Sequence, residues 1–156
     1  ALIDLKLVEE AGFFRRTLEC AVVKLVCEKA AGKELSDDFV LALKANLNLQ
    51  DFYLENPAPD KLMELDNEFH HLLFSCVDKE RCYRMCCDMG IHFDRIRHLA
   101  LHTVKELKIV GDHHDIFSAI RDGASDRAYA LMAAHLTRFE IDEKLIKNEY
   151  PEYFVN

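Results

Sequence analysis

The sequence predicts an all-α fold, an antiparallel bundle of about six helices enclosing a metal or ligand pocket. Apolar residues recur at helical spacing in six successive segments. No segment keeps a period-2 alternation or carries a hairpin dipeptide. Only five glycines and three prolines interrupt the 156 residues, so long helices joined by short loops are the natural outcome.

The elements follow in order. The first stripe is Phe14, Leu18, Val22 and Leu25 with Ala21, closed by Gly32 read as a C′ residue. Ser36 and Asp37 offer an N-cap for a second, weaker stripe of Leu41, Leu43, Ala45, Leu47 and Phe52. Asn56-Pro57-Ala58-Pro59-Asp60 is a loop, because each proline disfavours helix at the preceding residue. Leu62, Leu65, Phe69, Leu72 and Leu73 form the third stripe. Asp78 is a candidate cap for a long fourth segment from Lys79 that carries Ile91, Ile96, Leu99 and Leu101. Ile109, Val110, Ile116, Phe117 and Ile120 form the fifth, and Gly111-Asp112 fits either a short break or a continuing helix. Asp122-Gly123-Ala124-Ser125 is a stop and restart with Ser125 as N-cap. Ala128, Leu131, Met132, Leu136 and Phe139 form the sixth stripe, and Pro151 ends the last helix.

Length and composition bound the function. The chain has the size of one domain, residues 1–156, and is long enough to bury a core. With 28 acidic and 20 basic residues the formal charge is −8, which repels phosphate backbones and makes this chain by itself a poor nucleic-acid binder. No apolar run reaches the roughly 18 residues of a membrane span. Ala1-Leu2-Ile3-Asp4 has no initiator Met and no signal-peptide pattern, so the chain reads as a cytoplasmic piece of a longer protein. Cys20, Cys27, Cys76, Cys82, Cys86 and Cys87 include no C-x-x-C pair and no two clusters at zinc-ligand spacing. They read as reduced, mostly buried small hydrophobes.

Polar residues on the apolar stripes carry the functional signal. Asp66 and His70 lie one turn apart on the face that bears Leu62 and Leu73. His113 falls between Val110 and Phe117, and His135 between Met132 and Phe139. Each buried alone would cost about 1–3 kcal/mol without a partner, and the carboxylate more. One divalent cation would satisfy all four, and three imidazoles with a carboxylate suit zinc, nickel or another first-row metal. The competing reading is three core histidines, each bonded to an ordinary acceptor such as a carbonyl. His71 and His114 should point elsewhere on their helices. His92 reads as part of a solvated or interface face. His98 and His102 fit either such a face or a polar pocket lining.

These residues also carry a resemblance. Asp66-Asn67-Glu68-Phe69-His70 resembles the "D-x-x-F-H" signature of the FCD domain, the C-terminal effector-binding domain of the FadR subfamily of GntR transcriptional regulators. Arg15-Arg16-Thr17-Leu18-Glu19 is similar to that family's first-helix "R-x-x-L-E", and the stretch from His113 to Ile120 to its "H-x-x-I-x-x-A-I". Asp122-Gly123 with Met132-Ala133-Ala134-His135-Leu136 resembles "G-D…M-x-x-H-L", with Gly and Asp in reversed order. Tyr150-Pro151-Glu152-Tyr153-Phe154 is similar to a tail of some members. Each motif is weak alone; their shared order along the chain is the specific feature. The resemblance implies a bundle with a metal at the pocket floor, held by Asp66, His70, His113 and His135. Asp112 stands where the family often has Glu, a change that would touch the surroundings of the ligands and not the ligand set.

The resemblance further implies a small carboxylate effector gripped by metal and arginine, with Arg15 at the family's first-helix position and Arg95 and Arg97 on the covering helix. For all three arginines the competing reading is surface ion pairing. A homodimer is implied, as is a winged helix-turn-helix module that precedes such a domain and is absent from this chain. DNA binding would run through that module, under allosteric control by the effector. No catalytic residue is assigned. Two alternatives stand beside the sensor: a metal-dependent hydrolytic enzyme using the same site, and an inert helical dimerisation bundle.

Overall fold

The computed structural model describes residues 2–103 and 108–155, and the side chains of these except 103 and 139–145. Phe139, assigned above to the last stripe, lies outside the described side chains. Seven α-helices appear among the described residues: α1 (Leu5–Ala31), α2 (Asp37–Glu55), α3 (Pro59–Cys76), α4 (Glu80–Met89), α5 (Ile91–Thr103), α6 (Ile109–Arg121) and α7 (Ser125–Glu149). A short 3-10 turn, Pro151–Tyr153, follows. The all-α expectation holds, with one helix more than predicted.

The extra helix comes from Gly90. It closes α4 by donating to the Cys87 carbonyl at 3.1 Å, and a Cβ there would stand 2.9 Å from the Cys86 carbonyl oxygen. The expected single segment that begins at Lys79 and carries Ile91 to Leu101 therefore bends into α4 and α5. Gly111-Asp112 instead lies inside α6.

Capping follows the expected chemistry at some ends and shifts by one residue at others. Asp4 caps α1 by accepting from Lys6 N–H at 2.9 Å, and Ser36 caps α2 by accepting from Phe39 N–H at 3.2 Å. Pro59 opens α3 in the first-turn position that lacks a hydrogen-bond requirement. Gly32 is the last residue of α1's geometry at φ −75°, and Lys33 takes the left-handed turn at φ 58°. Asp78 does not cap α4: it sits at φ 56° in the turn that ends α3, a conformation its short side chain tolerates. Ser125 is already helical in α7, its hydroxyl reaching the Lys24 carbonyl, and Ala124 holds the N-cap position. Gly123 supplies the left-handed residue after α6 at φ 63°.

Several predicted stripe members face outward. Leu25, Leu41, Phe52 and Ile91 are exposed. On α1 the buried face is Val8, Ala11, Val22, Val23, Val26 and Cys27, rotated from the predicted stripe because α1 is packed by α3, α5, α6 and α7 together. The chain ends meet: Ile3 N–H donates to the Tyr153 carbonyl at 2.6 Å, and Val155 N–H to the Ile3 carbonyl at 2.9 Å.

The core has two apolar clusters. One gathers Val23, Val26, Leu43, Phe69, Leu73, Phe74, Ile116, Ile120 and Met132. The other gathers Ile3, Val8, Leu62, Phe93, Ile96, Val110 and Ile146. On α3 and α6 the switch between clusters falls at Asp66 and at His113, so a polar layer divides the core. No described helix is long and apolar enough to cross a membrane.

Candidate metal centre

Asp66, His70, His113 and His135 are all buried, and one ligand atom from each lies within 4.8 Å of the others. His70 Nε2 and His113 Nε2 each stand 3.1 Å from His135 Nε2. Asp66 Oδ1 is 3.3 Å from His113 Nε2, 3.7 Å from His70 Nε2 and 4.0 Å from His135 Nε2. Nitrogens sharing a first-row ion at about 2.1 Å lie roughly 3.0–3.4 Å apart, and any two ligands of one ion lie within about 4.2 Å.

The other nitrogen of each ring is held by an acceptor. Glu19 on α1 contacts His70 Nδ1. Gln50 Oε1 on α2 accepts from His113 Nδ1 at 2.8 Å. Asp112 Oδ2 accepts from His135 Nδ1 at 3.2 Å. The Gln50 orientation follows from its other end: Gln50 Nε2 donates to Asn46 Oδ1 at 2.6 Å, and Asn46 Nδ2 donates to the Leu65 carbonyl at 3.0 Å. Phe69 stacks on the His113 ring at 4.0 Å between centroids, fixing its plane.

With Nδ1 carrying the proton, each neutral ring turns an Nε2 lone pair toward the centre. Burial holds the His70 pKa below its ordinary value and that of His113 far below, the latter helped by its histidine neighbours. Burial outweighs Asp112 at His135 and brings it to about 4. Three imidazole lone pairs thus face one another and the Asp66 carboxyl group. Asp66 Oδ1 accepts no hydrogen bond among the described residues. A buried carboxylate oxygen aimed at imidazole lone pairs is repelled by them, and a cation removes the repulsion. The donor set therefore fits a divalent first-row metal.

Around the centre, carboxylates and guanidiniums alternate. Arg97, only 2% exposed, contacts Asp66 Oδ2 and donates to Asp94 at 2.6 Å and Asn67 at 2.8 Å. Arg15 contacts Glu19 one turn away and lies over the Phe93 ring at 5.5 Å. Arg138 grips both oxygens of Asp112. Burial raises the Glu19 pKa, but Arg15 and His70 more than offset this and hold it well below the carboxylate range. Asp112, likewise opposed by burial, is held at about 2 by Arg138 and His135.

A cavity of about 60 Å³ adjoins the centre, lined by Arg15, Glu19, Asn67, Tyr83, Phe93 and Arg97 among others. Glu19 and Arg97 belong to both, since they also contact His70 and Asp66. Arg15 and Arg97 are thus brought to one cavity, whereas Arg95 is half-buried outside its lining. Cys86 and Cys87 line it too; burial pushes the Cys86 thiol up to about 12, so it stays protonated at neutral pH. All six cysteines are free, three of them fully buried and Cys87 exposed.

An FCD-domain model matches residues 10–138 of the sequence. The chain belongs to the FCD-domain family. The HTH-type transcriptional repressor RspR of Escherichia coli (strain K12) is 26% identical over 153 residues, covering 97% of this chain and 65% of its own length. An HTH-type transcriptional regulator from an unstable DNA locus of Streptomyces ambofaciens is 27% identical over 156 residues, covering 97% and 62%. The FCD chain therefore spans somewhat under two thirds of the length of these relatives.

Periodicity alone singled out the four central residues. It missed Glu19, Gln50 and Asn46, polar residues on inward faces of α1 and α2. Asp112 was noticed as a possible break and as a departure from the family pattern, not as a partner of His135, and Arg138 not at all. His71, half-buried, and His114, exposed, point away from the centre and are bound to Glu80 and Asp51, as their helix positions predict. His92, read as part of a solvated or interface face, is half-buried and accepts from Asp4 N–H at 3.1 Å.

Proposed function

We propose that this chain is the ligand-sensing domain of a GntR-family transcriptional regulator. It binds a small organic acid through a divalent metal, zinc or nickel, held by Asp66, His70, His113 and His135. Arg15 and Arg97 grip the acid, and Arg95 stands on the same helix as Arg97, outside the cavity lining. Coupling to DNA runs through an N-terminal helix-turn-helix domain outside this chain, in a cytoplasmic homodimer. The bound metal supplies a Lewis-acidic site for a carboxylate oxygen.

The observation that carries this reading is the convergence of three imidazole lone pairs and an orphaned carboxylate oxygen. Charge supports an anionic effector. Arg15, Arg97 and Arg138 are matched by Glu19, Asp66 and Asp112, with Asp94 as one further acid on Arg97. A divalent cation leaves that group with net positive charge, which a carboxylate neutralises.

The enzyme reading gains little from the same groups. Glu19 and Asp112 are engaged by guanidinium and imidazole and hold their protons too weakly to serve as general bases near neutral pH. The test is metal content of untagged protein beside the His113→Ala, His135→Ala double variant, followed by thermal-shift screening of carboxylic acids with and without chelator. About one equivalent of metal lost in the double variant, and stabilisation by an acid that is recovered unchanged, is the expected result. Unaltered metal content would remove the site, and conversion of the acid would favour the enzyme.

A further inference from the structure

A second group of metal-ligating side chains lies on the surface, away from the buried centre. Asp60 stands in the first turn of α3, and His98 and His102 stand one turn apart on α5. Asp60 Oδ1 is 3.0 Å from His98 Nε2 and 3.6 Å from His102 Nε2. The two rings lie 4.5 Å apart between centroids, and one ligand atom from each of the three residues falls within 4.8 Å of the others. A histidine pair at this helical spacing turns both rings to one side, and the carboxylate arrives from a different helix. Lys61, the adjacent cation, is engaged by Glu64 at 2.8 Å.

We propose that Asp60, His98 and His102 form a second divalent-metal site, open to solvent, for a first-row cation of the zinc or nickel class. Three protein ligands on one side leave the remaining positions to water, as in a site that exchanges its ion. The ion fastens the start of α3 to α5. Those two helices also carry Asp66 and Arg97, whose contact borders the buried centre. Occupancy of the surface site thus holds the register in which Arg97 meets Asp66. The inference stands on its own residues and does not rest on the buried metal.

The bland alternative is a hydrogen bond between Asp60 and His98, of the kind that His71 makes with Glu80 and His114 with Asp51. Those single-histidine pairs serve as internal controls. The experiment is equilibrium dialysis against nickel, with ring resonances of the histidines followed by NMR. Wild type should take up one equivalent more than the His98→Ala, His102→Ala variant, and Asp60→Asn should weaken that equivalent by about ten-fold or more, since even outer partners of metal ligands cost about that much. Paramagnetic broadening should reach His98 and His102 before His71 and His114. Equal uptake by wild type and the double variant, or equal broadening at all four histidines, would overturn the proposal. All three substitutions are at exposed positions, and melting curves check the fold. His113→Ala with His135→Ala removes a different equivalent, so the two sites fail or survive separately.

Discussion

Replacing Asp112 by Ala probes the reasoning behind the buried centre without touching a proposed ligand. Asp112 accepts from His135 Nδ1 and holds Arg138 through both oxygens. Its removal lets the His135 ring choose the other tautomer and rotate, so Nε2 no longer presents a fixed lone pair. Loss of such an outer partner weakens metal binding by about 10- to 100-fold, or roughly 1.4–2.7 kcal/mol. The metal-free protein loses a charge-assisted hydrogen bond as well, worth about 1.5–3 kcal/mol where buried and less here because Arg138 is a third exposed. Asp112→Glu keeps the acceptor and should retain most of the affinity. Asp115, exposed on the same helix, is the control. Competition with a chromogenic chelator reads the affinities directly. Binding by Asp112→Ala within two-fold of wild type would refute the claim that this carboxylate orients the ligand.

Three further outcomes follow from the same geometry. In chelator, stability should fall with acid, because His135 takes a proton near 6.5 when unfolded and only near 4 when folded. Stability from this residue is complete above 6.5 and lost as pH drops toward 4, by about 3 kcal/mol at roughly 1.4 kcal/mol per pH unit, and a melting temperature flat across that interval would contradict it. Arg97→Ala leaves the buried Asp66 carboxylate without its guanidinium and should cost the metal-free protein about 3–5 kcal/mol in denaturant titration; a loss no larger than the ~0.5 kcal/mol of a surface change would show the pair to be unimportant. Gly123→Ala puts a side chain at φ 63° and a Cβ 3.3 Å from that of Ala31, so about 1–2 kcal/mol should be lost in the same assay, and an unchanged midpoint would show that the turn relaxes freely.

The four central residues could be read from the sequence because each interrupts a strongly apolar helical face. On α3, Asp66 and His70 sit between Leu62, Leu65, Phe69 and Leu73, so their direction is decided locally. Glu19 escaped because α1 is packed on several sides, which blurs its stripe: the outward Ala21 and Leu25 are as apolar as the inward Val22 and Val26. Gln50 and Asn46 escaped for a related reason, since Leu41, Leu49 and Phe52 are exposed on the same helix and disguise the inward face. Gly90 was passed over because one glycine in a helical pattern is usually tolerated; here the Cys86 carbonyl, a contact of the folded chain, makes it a break. The pairing of Arg97 with Asp66 is also tertiary. Its helix position was visible, but its partner stands on another helix, 31 residues earlier.

The partners of the centre bear on the proposed sensing role, because they draw on most of the bundle. Asp66 and His70 come from α3, His113 and Asp112 from α6, and His135 and Arg138 from α7. Glu19 ties in α1, Gln50 ties in α2, and Arg97 ties in α5. The remaining helix, α4, reaches the neighbouring cavity through Tyr83, Cys86 and Cys87. In the proposed function, a carboxylate entering that cavity would compete with Asp66 and Asp94 for the Arg97 fork, and with Glu19 for Arg15. Held by Arg97, it would loosen the contact with Asp66 that joins α5 to α3, whereas Arg15 and Glu19 both stand on α1. A ligand shifts a conformational equilibrium only by the difference in its contacts between two states, and the contact it would exchange here is Arg97–Asp66, which fastens α5 to α3. A bundle whose core were apolar throughout would offer an entering acid no comparable exchange to transmit.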